Sequence, residues 1–167
     1  MFLYILGVVV AGAAVHTALL KERTRERMGE IALLWVLVGY CGVPMLVVSA
    51  ISLHHSHLVA DWLGFPPHNP FQTFLSVAYL GMSLVALLAL RYRGTYLIGP
   101  AVVWATFFAG ATLIHLGHPH GGGPHEGGHG GVLAIFATHG LISVLLVAGL
   151  VASGVLRRRG DAARDAP

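Results

Sequence analysis

Apolar residues run in five blocks along the chain, at 2–20, 30–53, 70–90, 95–116 and 132–156, and the polar and charged residues gather in the short stretches between them. Each block is close to the roughly 20 residues a helix needs to cross the hydrocarbon core of a bilayer. The pattern predicts an all-α fold, an integral membrane bundle of five transmembrane helices that forms one helical domain over residues 1–156. Local signals refine it. Pro44, preceded by Gly39 and Gly42, predicts a kink within the second helix. Asn69, Pro70 and Gln72 suit the N-cap, first and third positions of the third helix, a variant of the capping box. Gly7, Ala11, Ala14 and Ala18 on the first helix, and Ala101, Ala105 and Ala109 on the fourth, give small faces for close helix packing.

Composition agrees. Of the 167 residues, 56% are hydrophobic and 10% charged, against roughly a quarter charged in soluble domains. The lipid bilayer is therefore the expected partner. The Lys and Arg residues sit in three clusters, at 21–27, 91–93 and 157–164, instead of covering a surface, which excludes a nucleic-acid partner and reads as topology signals. No positive charge precedes the first block and four follow it, the reverse of a secretory signal, so it is expected to be a retained helix. With the N-terminus outside and the C-terminus cytoplasmic, all ten cations fall on the cytoplasmic side, including the basic tail 157–167. Cys41 stands alone and reads as a small apolar filler.

That topology sorts the histidines. His54, His55, His57, His68, His115, His118, His120, His125 and His129 fall at or beyond the outer face, with His139 about two turns beneath it; only His16 lies elsewhere, as a snorkelling or hydrogen-bonded residue. The stretch 115–131 joins five of these to eight glycines and two prolines, so the extracytoplasmic loop 117–131 has no means of building an apolar core. Neutral imidazole is a preferred ligand for Zn, Cu and Ni. A hydrophilic connector is the plain reading of the loop, and a metal-catching segment the functional one. His54 and His57 share a helix face if the helix continues through them. His139 has Thr138 and Ser143 beside it as ordinary hydrogen-bond partners.

Gly64-Phe65-Pro66, then Asn69-Pro70-Phe71-Gln72, with Gly81, Arg93-Gly94, Gly110 and His115 beyond, resemble an uncharacterised bacterial family of multi-span membrane proteins, domain-of-unknown-function family 6790. The resemblance covers residues 54–116 most specifically. It implies a helical fold in the cell membrane, multi-pass, in a bacterial inner membrane, and it implies no reaction. The family pattern carries an acidic residue two positions after the glutamine, where this chain has Phe74.

The leading functional expectation is a transition-metal site (Zn, Cu or Ni) at the outer face. Its candidate ligands are His54, His57, His115, His118 and His139, with His120, His125 and His129 auxiliary, and its role is sensing, storage or delivery of the metal. Haem held by two of His57, His115 and His139 is the alternative cofactor. The contrasting expectation is an accessory subunit of a larger membrane complex, or a homo-oligomer, without chemistry of its own. Catalysis is disfavoured, since Asp61 and Glu126 are the outer side's only candidate bases and no positioned nucleophile accompanies them. A transporter is disfavoured too, since the five runs show neither inverted repeats nor any membrane-embedded Asp, Glu, Lys or Arg.

Overall fold

The structure is a computed structural model that describes residues 2–63, 69–117 and 136–157. Among these residues every regular element is helical. Helix α1 is Phe2–Ala18, α2 runs through Arg25–His54, α3 is Ser56–Leu63 and α4 is Pro70–Leu88. A 3-10 turn, Gly94–Leu97, leads into α5, Ile98–Gly117, and a π-helical turn, Phe136–Gly140, leads into α6, Leu141–Ala152. Three helical stretches, Arg25–His54, Pro70–Leu88 and Gly94–Ile114, are long and apolar enough to cross a membrane; the apolar helices at Leu3–Ala18 and Thr138–Ala152 are shorter. The loop 117–131, apart from Gly117, and the tail beyond Arg157 lie outside the described residues.

Helix α2 is the element the others pack on. Its first half lies against α1 and α6, its second half against α4, while α5 packs on α6 and more lightly on α4. It begins at Arg25, five residues before the block that hydropathy marks out, because Thr24 caps it: the Thr24 hydroxyl accepts from Arg27 N at 3.2 Å. The charged first turns are tied down at this end of the bundle. Arg27 pairs with Glu30 at 3.3 Å, and Arg157, past the end of α6, reaches Glu26 at 2.7 Å.

The expected disturbance at Pro44 takes a definite form. Proline supplies no N–H to the preceding turn, and the helix widens to π geometry over Leu37–Gly42, with Val43 N bonded five residues back to Val38 O. Ser83 of α4 donates to the Cys41 carbonyl at 3.2 Å, so the disturbed turn becomes a packing contact. Around it lies the core, in which Leu33, Leu37, Tyr40, Cys41, Trp104, Ile142 and Leu146 are fully buried. Cys41 is a free, buried thiol, as its apolar setting implies.

The small faces are used unequally. Ala101 and Ala105 are buried, whereas Ala109 is exposed. On α1 the expected stripe of Gly7, Ala11, Ala14 and Ala18 points outward, and the helix meets α2 through Leu6, Val9 and Gly12 instead. Trp35 decides this rotation. Its ring lies so close to Gly12 that a Cβ there would stand 2.5 Å from the indole, and its Nε1 donates to His16 Nδ1 at 3.2 Å. His16 is thus a hydrogen-bonded residue of the α1–α2 contact.

At the start of α4, Asn69 is the N-cap, accepting from Phe71 N at 2.9 Å, and Pro70 follows at the first helical position. Asn69→Ala is expected to lower stability by about 1 kcal/mol, with Asn69→Asp or Asn69→Ser retaining most of it. Thermal unfolding in detergent reads this; an unchanged midpoint for the alanine variant would deny the cap any weight.

Candidate metal centre and a buried polar cluster

The histidines at the far end of α2 do not continue one helix. The chain breaks at His55 (φ −133°, ψ 60°), where His55 N still reaches Ile51 O at 2.7 Å before α3 starts at Ser56. The shared face expected of His54 and His57 is therefore replaced by a corner. His54, His55 and His57 are all exposed on it, and the rings of His55 and His57 stand edge to face with centroids 6.2 Å apart. Asp61 falls within α3, where only the backbone is described.

His139 occupies a different place. It sits in the π turn that leads into α6, half-buried, with Thr138 Oγ1 2.9 Å from its Nδ1 and the ring of Phe108 edge-on at 5.7 Å. Thr138 is the hydrogen-bond neighbour that the sequence offers. Ser143 is not: its hydroxyl donates to the Ala105 carbonyl at 2.6 Å and so joins α6 to α5. Tyr40, in the π segment of α2, donates to the Thr138 carbonyl at 2.9 Å, so the two π-helical segments meet through this bond.

This contact fixes the spacing of the candidate ligands. Tyr40 is level with the turn that carries His139, and His54 lies fourteen residues further along α2, about 20 Å of rise. The structure therefore does not bring His54 or His57 to His139. His115 is nearer. Phe108 touches His139 and Thr112 lies 3.7 Å from a Cβ placed on Gly140, and His115 follows Thr112 by three residues on α5, about 4.5 Å of rise. The backbone of α5 thus carries His115 just above the His139 turn. His118, His120, His125 and His129 lie outside the described residues, as does His68. Among the described residues no three His, Cys, Asp or Glu side chains form a metal-holding group.

A second cluster lies beside the histidine corner. Gln72 does not turn back to complete a capping box. Its side chain crosses to α2 and is 3% exposed, with Nε2 donating to Ser56 O at 2.8 Å and to Ser52 Oγ at 3.3 Å. Ser76 Oγ lies 2.6 Å from Ser52 Oγ and 2.8 Å from the Gln72 carbonyl. Burial wins over the cap because the Ser52 hydroxyl and the Ser56 carbonyl, across the bundle from α4, give Nε2 two acceptors. Gln72 Oε1 is buried and has no hydrogen-bond partner among the described residues. Capping-box spacing gives Gln72 a local role; the serines at 52 and 76, both buried on apolar helices, were the signal that pointed across the bundle. Phe74, two positions after Gln72, faces outward at 69% exposure and takes no part.

No curated protein and no solved structure matches the chain. A family model described as Family of unknown function (DUF6790) matches residues 1–159, well beyond the stretch in which the resemblance is most specific, and the chain belongs to that family.

Proposed function

We propose that the chain is a five-span membrane protein, N-terminus outside and C-terminus cytoplasmic, that captures a transition metal ion at its outer face for sensing, storage or delivery. The orientation is supported by the gathering of all ten Lys and Arg at stretches that alternate with the histidine-bearing ones. The observation that carries the metal reading is the corner at His55. Two imidazoles on one ion, each bound at about 2 Å, place their ring centroids roughly 5–6 Å apart. The 6.2 Å between His55 and His57 needs only small rotamer changes to reach that distance. Exposure of both rings lets them do so without unpacking the bundle. The ligand set proposed is accordingly His55 and His57, with His54 adjacent. The tract from His115 through His118, His120, His125 and His129 supplies further nitrogens, and His139 stands with His115 as a separate inner pair.

The test uses full-length protein purified in detergent with a tag free of histidine. Near-stoichiometric Zn, Cu or Ni retained through a mild chelator wash is the expected result. The double variant His55→Ala/His57→Ala is expected to lose about tenfold or more in affinity by isothermal titration with Zn. Unchanged affinity would move the site to the tract or to His115 and His139. Absence of metal after reconstitution would overturn the reading, and a Soret band would replace the ion with haem, for which His115 and His139 are the pair near enough to each other.

A further inference from the structure

The Gln72 cluster holds a buried acceptor for which no described residue provides a donor. The amide orientation is fixed by chemistry, since Ser56 O only accepts and so requires Nε2 at the 2.8 Å position, leaving Oε1 on the other side. The remaining protons can be assigned. The Gln72 carbonyl also only accepts, so the Ser76 hydroxyl proton goes there, and Ser52 then donates to Ser76 while accepting from Gln72 Nε2. Both amide protons and both hydroxyl protons are used, and a carbonyl oxygen remains. A buried carbonyl without a partner is strongly disfavoured, more so where lipid replaces water.

We propose that this cluster is a binding site for one small hydrogen-bond donor, neutral or monocationic, with water occupying it at rest. The site is acceptor-only. Among the described residues no donor reaches Gln72 Oε1, and an N–H or O–H group, not an anion, completes the network. Entry is provided by the break between α2 and α3, because Ser52 and Ser56 flank His55 and the helical bonding is interrupted there. Neither the metal reading nor the orientation in the membrane is needed for this inference.

The test is cysteine labelling of full-length protein in membranes opened to reagent on both faces. Cys41→Ala removes the native thiol, and Ser76→Cys or Ser52→Cys then places one in the cluster. The probes are an aminoethyl methanethiosulfonate, which carries an ammonium donor, and its sulfonatoethyl counterpart, which is an anion. Exposed His57→Cys, in the same background, gives the intrinsic rate ratio of the two reagents. Both cluster cysteines are expected to react with the ammonium reagent about tenfold or more faster than Cys41 does in the otherwise unchanged chain. Their ammonium-to-sulfonate ratio is expected to exceed that of His57→Cys by about tenfold, a preference that Gln72→Leu removes. The proposal is overturned if both cluster cysteines react as slowly as Cys41, or if their ratio equals that of His57→Cys. Should Ser76→Cys fail to accumulate, Ser52→Cys alone decides between these outcomes.

Discussion

Gly29→Ala is expected to destabilise the protein by about 2–3 kcal/mol, among the largest effects of any single methyl group added to the chain. A Cβ at Gly29 would stand 2.6 Å from the backbone carbon of Ala152, 2.7 Å from Ser153 N and 2.8 Å from the Ala152 side chain. Two of those atoms are backbone and have no rotamer to change, so α2 and α6 must move apart. The seam has little freedom to do so. Gly149 faces Leu33 one layer further in, where a Cβ would already be 3.1 Å from that side chain, and the Arg157–Glu26 pair closes the end of the contact. Gly81→Ala and Gly7→Ala are the controls, because a Cβ at either meets nothing within 4 Å. Thermal unfolding of the three variants in one detergent checks the claim: a midpoint lowered for Gly29→Ala alone is expected. Equal midpoints would mean that α2 and α6 do not meet through Gly29.

Elements and caps were legible in the sequence; rotations were not. Asn69-Pro70 announces the start of α4 because the cap is a local device, with donor, acceptor and fixed φ all within three residues. Pro44 announces a disturbed turn for the same reason. Hydropathy placed the start of α2 too late, since Thr24 and the charged turn after it form helix outside the apolar block. The stripe on α1 shows the limit of spacing arguments. Gly7, Ala11, Ala14 and Ala18 and the face of Leu6, Val9 and Gly12 are both regular, and the position of Trp35 on the neighbouring helix selects the second.

The candidate site divides along the same line. That His54, His55 and His57 gather at one end of α2 follows from counting residues, but the corner at His55 does not, because it depends on α3 turning away and on Gln72 holding the Ser56 carbonyl from across the bundle. The supposition that a triad of His54 or His57, His115 and His139 shares one site required depth along each helix to be equal. The Tyr40–Thr138 bond shows that it is not. Capping-box spacing likewise placed Gln72 near its own backbone, and a competing set of serines on two helices drew it inward.

Trp104→Ala is expected to cost about 3 kcal/mol or more, the largest loss among single truncations in the core. Its indole is fully buried, stacked on Phe108 at 5.3 Å and parallel to Tyr79 at 6.0 Å, with Nε1 donating to the Met82 carbonyl at 3.2 Å. The loss comes from ring contacts that no neighbour replaces and from the vacated hydrogen bond. Trp104→Phe keeps the stacking, and its expected midpoint falls between the alanine variant and the parent chain in thermal unfolding. A midpoint for Trp104→Ala within a degree of the parent would contradict the packing described. The same variant also separates the two histidine groups. Phe108 contacts both Trp104 and His139, its ring 5.7 Å from the imidazole, so loss of the indole loosens one of the contacts on His139. Metal affinity that falls in the folded fraction of Trp104→Ala would point to His139 as a ligand. Affinity that stays unchanged is the outcome expected of a site at His55 and His57, because Tyr40 and the His139 turn are level and the corner stands about 20 Å further along α2.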